Sequence, residues 1–314
     1  MLDKLKVFTG RAHPQLANDI CKELGIPLGK SEIMKFTNDN SFVRIHESVR
    51  EADVYVIQPS CQPVNDGLVE LLIMIDALKR ASVNRLTVVA PYFPYGRSDK
   101  KDQPRISITA RLVADLLEVA GANRVVSVDL HSPQIQGFFT IPVDHLTAVT
   151  LLANYFKEKN IPDLVVVAPD VGRAKMAREY AKILQAPIAI IDKRRIGNLE
   201  QVAVDNVIGD VAGKPCLLVD DEISSGESLV SAANTLSRFQ ASRIYAAVTH
   251  PILSGMAPQR VESSPINELI VTDSVPIPPE KQNSKITVLS IAPVIAEAIR
   301  RIHTGDSVSI LFEN

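Results

Sequence analysis

Short apolar runs alternate along this chain with longer stretches in which apolar residues recur every three or four positions. The runs at 6–9, 54–58, 86–90 and 125–129 are rich in Val, Ile and Leu and end in turn or polar residues, which predicts strands buried on both faces. Residues 64–80 carry Leu68, Leu71, Leu72, Ile75 and Leu78 at helical spacing, and residues 107–120 carry Ile108, Leu112, Leu116 and Val119 in the same way. The second half repeats the theme, with strands expected at 164–168, 188–191, 216–219 and 244–248 and helices at 176–184 and 229–239. This alternation predicts an α/β protein with parallel sheets flanked by helices. Ile141-Pro142 interrupts the pattern, so a boundary between two similar halves is expected at 141–147. A helix at 296–302 and a strand at 308–311 return to one of the halves.

Composition narrows the class without changing it. A chain of 314 residues suits two domains of ordinary size, and 46% hydrophobic with 22% charged residues is globular usage. The net charge of −2 removes the electrostatic case for a nucleic-acid partner. Three cysteines, Cys21, Cys61 and Cys216, disfavour a disulfide framework and fit a reducing cytoplasm. The N-terminal residues Met1-Leu2-Asp3-Lys4-Leu5-Lys6 lack an apolar signal core, and no apolar run is long enough to span a membrane.

The segment with the most chemistry is Leu217-Leu218-Val219-Asp220-Asp221-Glu222-Ile223-Ser224-Ser225-Gly226-Glu227-Ser228. It reads as a buried strand with two aspartates at its carboxyl end, then a loop of small hydroxyl residues, then a helix. Ligands of open parallel sheets bind at that end. Backbone N–H groups of such a loop suit a phosphate. The aspartates suit sugar hydroxyls, directly or through Mg²⁺. The bland alternative is an acidic helix start capped by Ser224 or Ser225. His131 follows a strand and Asp129, where it either ligates a metal or phosphate or merely caps the next turn. The loop 91–105 holds Arg97, Lys100, Lys101 and Arg105 beside three aromatics, a composition that suits a polyphosphate with an aromatic near a base. The basic cluster Asp192-Lys193-Arg194-Arg195 suits transition-state charge in phosphoryl transfer, or is a solvated turn. Gly25-Ile26-Pro27-Leu28-Gly29-Lys30-Ser31 is one residue short of a P-loop. No dinucleotide-binding fingerprint follows a strand, and no nucleophile elbow is present.

Four stretches in order resemble the ribose-phosphate pyrophosphokinase (phosphoribosyl pyrophosphate synthetase) family: residues 70–81, residues 129–139 beginning Asp129-Leu130-His131-Ser132-Pro133-Gln134, Ile190-Ile191-Asp192-Lys193-Arg194-Arg195, and Thr249-His250-Pro251-Ile252-Leu253-Ser254-Gly255. The resemblance spans nearly the whole chain. It implies two tandem phosphoribosyltransferase-type, Rossmann-like domains, 1–145 completed by 296–314, and 146–295. It implies transfer of the pyrophosphoryl group of Mg-ATP to the anomeric hydroxyl of ribose 5-phosphate, giving 5-phosphoribosyl 1-diphosphate and AMP, in a cytoplasmic homohexamer of dimers.

Roles carry over residue by residue as implications of the resemblance. Lys193, Arg195 and His131 are catalytic. Phe36, Asn38, Asn40, Arg97, Ser98, Asp99, Asp102 and Arg105 contact ATP, with Phe36 reaching adenine across a subunit interface. Asp170, Asp220, Asp221, Ser224, Ser225, Gly226, Glu227 and Ser228 bind ribose 5-phosphate. His131 and Asp170 hold Mg²⁺. Three departures stand out. Two carboxylates of the adenine segment are the amides Asn38 and Asn40, Arg97-Ser98-Asp99 loses a long amide arm, and the phosphate loop carries Glu227 beside a dianion. These departures keep two other readings in view: a catalytically weak paralogue that regulates an active synthetase, and a phosphoribosyltransferase.

Overall fold

The two periodicities sort the chain into two parallel sheets, each with its own core. The computed structural model describes residues 4–194 and 204–311. Its elements are β1 (Leu5–Thr9), α1 (Pro14–Leu24), β2 (Ser31–Lys35), β3 (Ser41–Ile45), β4 (Asp53–Ile57), α2 (Val64–Arg80), β5 (Arg85–Val89), α3 (Thr109–Ala120), β6 (Arg124–Val128), β7 (Val143–Leu146), α4 (Val149–Lys159), β8 (Val165–Ala168), α5 (Ala174–Leu184), β9 (Ile188–Arg194), β10 (Val204–Ile208), β11 (Pro215–Ile223), α6 (Glu227–Arg238), β12 (Arg243–Pro251), α7 (Ala257–Ser263), β13 (Glu268–Thr272), β14 (Ile286–Leu289) and α8 (Ala292–Thr304). Unit 1 takes Met1–Thr147, Ser274–Pro276 and Ser290–Glu313; unit 2 takes Ala148–Asp273 and Ile277–Leu289.

Unit 1 holds a five-stranded parallel sheet in the order β1-β4-β5-β6-β7. Side chains alternate across a strand. Phe8, Val54, Val56, Leu86 and Val88 therefore meet Leu71, Met74, Ile75 and Leu78 of α2 and Val113 and Leu117 of α3. Each such side chain, fully buried, contributes about 1.5–3 kcal/mol. The intervening Val7, Tyr55, Ile57 and Val89 are buried as well, which is why these strands read as unbroken apolar runs. Helix α1 packs on β1 and α8. Arg85 and His303 tie α8 to the sheet. Arg85 Nη2 donates to Ile302 O at 3.0 Å and lies 2.5 Å from Asp53 Oδ2, and His303 Nδ1 lies 2.7 Å from the same oxygen. Burial opposes charge on Asp53, but Arg85 and His303 hold its carboxyl below the usual carboxylate range.

Unit 2 holds a seven-stranded sheet in the order β10-β9-β8-β11-β12-β13-β14, parallel except for the β9–β10 pair. Val165, Val167, Cys216, Leu218, Ile244 and Val248 form its core with Leu229, Ala232, Ala233 and Leu236 of α6. The chain steps from β8 outward to β9, then crosses back to place β11 on the other side of β8.

The structure departs from the pattern-based expectations in several places. The strand expected at 216–219 runs on to Ile223. Pairing with β8 stops at Leu218, but β12 continues alongside through Asp220–Val248, Glu222–His250 and Ile223–Pro251, so the acidic residues belong to the strand. The strand expected at 188–191 extends to Arg194 because β10 supplies an antiparallel partner. The segment at 308–311 is not a strand: Ser309–Leu311 is a 3₁₀ turn. There Leu311 N–H donates to Val308 O and Ser309 N–H to Ser307 Oγ, so ladder groups are used locally. Finally, β2 and β3 form a hairpin that apolar periodicity did not predict.

Candidate active site

The reversal in unit 2 falls between β8 and β11, and open α/β sheets bind ligands at the carboxyl ends of the strands flanking such a point. Asp170 lies just past β8, after Pro169, and is exposed; its carboxylate accepts the Arg173 N–H at 3.2 Å and starts the short 3₁₀ turn Val171–Arg173. Asp220 and Asp221 lie in the part of β11 that outruns β8. Asp221 is only 2% exposed, and its N–H donates to Asp220 Oδ1 at 2.9 Å.

One guanidinium spans the pair. Arg173 Nε lies 2.8 Å from Asp220 Oδ1 and Nη2 lies 2.5 Å from Asp221 Oδ1. Burial and the adjacent Asp221 push the Asp220 carboxyl well above its ordinary range, and Arg173 opposes that rise. For Arg173 itself burial disfavours charge, but Asp221, Asp220, Asp170 and Glu222 outweigh it and strengthen its hold on the proton.

The loop Ser224 to Gly226 leads into α6. The alternative reading, a helix start capped by Ser224 or Ser225, is met only in part. Gly226 occupies the N-cap position at φ +77°, which favours glycine, and Ser225 Oγ accepts the Glu227 N–H at 3.4 Å. The turn after β12 braces this loop, with Leu253 N–H donating to Ile223 O at 3.0 Å and Ser254 N–H to Ser224 O at 2.9 Å. Arg260 of α7 donates from Nη1 to Ser225 O at 2.8 Å and places Nη2 2.9 Å from Glu227 Oε1. The carboxylate that looked incompatible with a phosphate loop is therefore charge-matched. Ser228 is exposed in the first turn of α6. The backbone of Lys193 pairs with Asp205 at the carboxyl end of β9, beyond the Ala168–Ile190 pair that ends the β8 register. Arg195 lies outside the described residues.

Unit 1 collects the remaining candidates. β5 and β6 are parallel neighbours, so the loop at 91–105 and the turn Asp129-Leu130-His131 emerge at the same end of the sheet. A β-carbon added at Gly96 would stand 3.7 Å from His131 Cβ, which places the loop against the histidine. His145, for which no partner was legible in the sequence, holds that turn: its Nε2 accepts the Leu130 N–H at 2.8 Å. Its Nδ1 lies 3.4 Å from Gln136 Nε2, on the amide that also donates to Pro133 O at 2.9 Å. Arg97, Asp102 and Arg105 are exposed, and Asp99 is half-buried. Ser98 has a structural duty, since its Oγ lies 3.3 Å from Thr109 Oγ1 and its carbonyl accepts the Ala110 N–H at the start of α3.

Phe36, Asn38 and Asn40 lie in the β2–β3 turn. Asp39 takes φ +67°, and Asn38 Oδ1 accepts the Asn40 N–H at 3.3 Å. Phe36 is 48% exposed with its ring 5.6 Å from that of Phe42. The first turn of α2 links both ATP-assigned segments. Lys35 lies 2.7 Å from Asp66, and Tyr95 donates to Asn65.

Asp170 offers Mg²⁺ the exposed carboxylate oxygen that this ion favours, whereas His131 offers a nitrogen, a poorer donor for it. The structure therefore gathers Asp170, Asp220, Asp221, the Ser224–Ser228 loop and the backbone of Lys193 at one end of the unit 2 sheet. It gathers the 91–105 loop and His131 at one end of the unit 1 sheet. Sequence reading missed Arg173, Arg260 and His145.

Comparison with known proteins gives a consistent result. A family model described as the N-terminal domain of ribose phosphate pyrophosphokinase matches residues 5–121, and one described as the phosphoribosyl synthetase-associated domain matches residues 198–313. The chain is 51% identical over 310 residues to a ribose-phosphate pyrophosphokinase of Oceanobacillus iheyensis, covering 98% of this chain and 97% of that one. It is 53% identical over 312 residues to one of Caldanaerobacter subterraneus subsp. tengcongensis, covering 99% and 98%. The crystal structure of phosphoribosylpyrophosphate synthetase from Mycobacterium smegmatis superposes with a TM-score of 0.91 at 45% identity, covering 96% of this chain and all of that one.

Proposed function

The chain belongs to the ribose-phosphate pyrophosphokinase family and is a ribose-phosphate diphosphokinase, and we propose how its residues divide the work. The reaction moves the pyrophosphoryl group of ATP to the anomeric hydroxyl of ribose 5-phosphate, leaving AMP and 5-phosphoribosyl 1-diphosphate. The supporting observation is the meeting, at the reversal of the unit 2 sheet, of an acidic pair with a small-residue loop that opens a helix.

In this reading the 5-phosphate takes the N–H groups and hydroxyls of Ser224, Ser225, Gly226, Glu227 and Ser228, at the positive end of α6. Asp220 and Asp221 accept the sugar hydroxyls. Asp170 stands at the same strand ends as the metal-facing carboxylate of unit 2. Arg97, Ser98, Asp99, Asp102 and Arg105 meet ATP from unit 1, with Phe36, Asn38 and Asn40 at the base and His131 toward metal or phosphate. Bound Mg²⁺ supplies charge neutralisation on the polyphosphate. Lys193 and Arg195 stabilise charge on the transferred group, and the rest of the catalysis is positioning. Residues 1–145 with 296–314 form the ATP-bearing domain, and 146–295 the sugar-bearing one.

A homo-oligomer is the proposed assembly, a hexamer of dimers by family likeness. Leu112, Leu116 and Val119 give α3 an exposed apolar stripe that favours a covered face. A cytoplasmic location is supported by three free cysteines, and no helix among the described residues is long and apolar enough to cross a membrane.

The test is incubation of the purified protein with Mg-ATP and ribose 5-phosphate, with AMP and 5-phosphoribosyl 1-diphosphate quantified by chromatography. Equal formation of both is expected. Absence of both products, with other nucleotides and added phosphate also tried, would overturn the reading.

A further inference from the structure

Two adjacent carboxylates at a strand end are a poor receptor for a sugar that already carries a dianion. Asp220 and Asp221 repel each other, and one of them is nearly fully buried. In this protein the difficulty is met within unit 2 by a single side chain. Arg173 stands three residues after Asp170, and its guanidinium forms ion pairs with both acids: Nε lies 2.8 Å from Asp220 Oδ1, and Nη2 lies 2.5 Å from Asp221 Oδ1, a charge contact without hydrogen-bond geometry. A guanidinium holds two acceptors in one fixed geometry, which a lysine ammonium does not. An ionised carboxylate has about four acceptor positions, so engaging Oδ1 does not exhaust either group. The Arg173 N–H also anchors the Asp170 carboxylate at 3.2 Å, so one residue sets the orientation of all three acids.

We propose that Arg173 is a positioning residue for ribose 5-phosphate, clamping Asp220 and Asp221 as acceptors for the sugar hydroxyls. This inference rests on the assignment of the acid pair to the sugar. Arg173 acts through the aspartates and needs no contact with the reacting atoms. Burial and Asp221 raise the Asp220 carboxyl, and the Arg173 charge opposes that rise, favouring the form that accepts from a sugar hydroxyl.

The experiment is calorimetric titration of ribose 5-phosphate into the full-length protein and its Arg173→Gln and Arg173→Lys variants, with steady-state kinetics alongside. Arg173→Gln is expected to weaken ribose 5-phosphate binding roughly tenfold or more, the loss typical when one member of a desolvated charge pair is removed. The KM for ATP should stay within about twofold, because a change confined to sugar binding leaves the other substrate's affinity alone. Lysine should rescue part of the loss. The acidic limb of kcat/KM for ribose 5-phosphate should move to higher pH in Arg173→Gln and return toward the parent in Arg173→Lys. A merely structural arginine would lower the melting temperature without moving that limb. If the parent binds the sugar phosphate and Arg173→Gln binds it equally, the clamp is wrong and the site assignment stands. If the parent itself does not bind, the assignment fails and takes the clamp with it. Should Arg173→Gln not fold, an Arg173→Lys variant with parental affinity and pH profile would also overturn the clamp.

Discussion

In unit 1 the strands follow one another across the sheet in a single direction, β1-β4-β5-β6-β7, whereas in unit 2 the chain reverses beside β8. Each unit also buries a critical aspartate, and the two are opposites. Asp53 opens β4 and is met by Arg85, His303 and the Tyr55 hydroxyl, so its charge is satisfied and its pKa lowered. Asp220 stands near the other end of a strand, beside a second aspartate, with its pKa raised. The difference teaches where stability and function are kept apart. A sheet without a reversal uses its buried acid to fasten a returning helix. A sheet with one leaves an acid pair poised at the opening. Perturbed groups of the second kind cluster at functional sites.

The contrast breaks most readily at Asp53. Asp53→Ala should cost roughly 3 kcal/mol, short of the fully buried limit because Arg85 is partly exposed. The loss should appear as faster amide exchange in α8, and unchanged exchange there would remove the fastening role. A smaller effect sharpens the unit 2 side. Arg260→Ala should weaken ribose 5-phosphate binding about three- to fivefold, the range for an exposed pair, because Glu227 would then face the phosphate uncompensated. Glu227→Ala in the same chain should restore it. If the double variant stays weak, charge matching is not what Arg260 does.

The smallest effect concerns pH. Asp53, with a lowered pKa, contributes stability that is present above the ordinary carboxylate range and is lost as pH falls through its folded value. Asp220, with a raised pKa, contributes stability that is present below that range and is lost as pH rises through its folded value. At neutral pH Asp220→Asn should therefore leave the melting temperature unchanged or raise it by about 1–3 °C, a gain of the order expected from relieving a functional-site strain. A drop comparable to that of Asp53→Ala would erase the distinction between the two acids.

What the sequence disclosed follows the same division. The central strands were legible because burial on both faces leaves unbroken apolar runs, and α2 was legible to its boundaries because one face alone is apolar. The β2–β3 hairpin was not, since Ser31–Lys35 and Ser41–Ile45 have no fully buried residue and mix apolar and polar side chains without strict alternation. Asp220 and Asp221 were legible as chemistry, but their place inside a strand depended on β12 continuing past β8. Arg173 was invisible because its partners lie on β11, beyond α5, β9 and β10 along the chain, and nothing in Asp170-Val171-Gly172-Arg173 marks the arginine as turned toward them. Arg260 was hidden for the same reason, and with it the answer to why Glu227 is tolerated.

Helix α8 packs on α1 and is tied to Asp53 and Arg85 of the unit 1 sheet. The first unit to leave the ribosome is thus the last that can be finished. Its α1 surface waits for residues translated after the whole of unit 2. Unit 2 draws its strands from the interval between and can close first, reversing the N-terminal-first order in which tandem domains usually fold during synthesis.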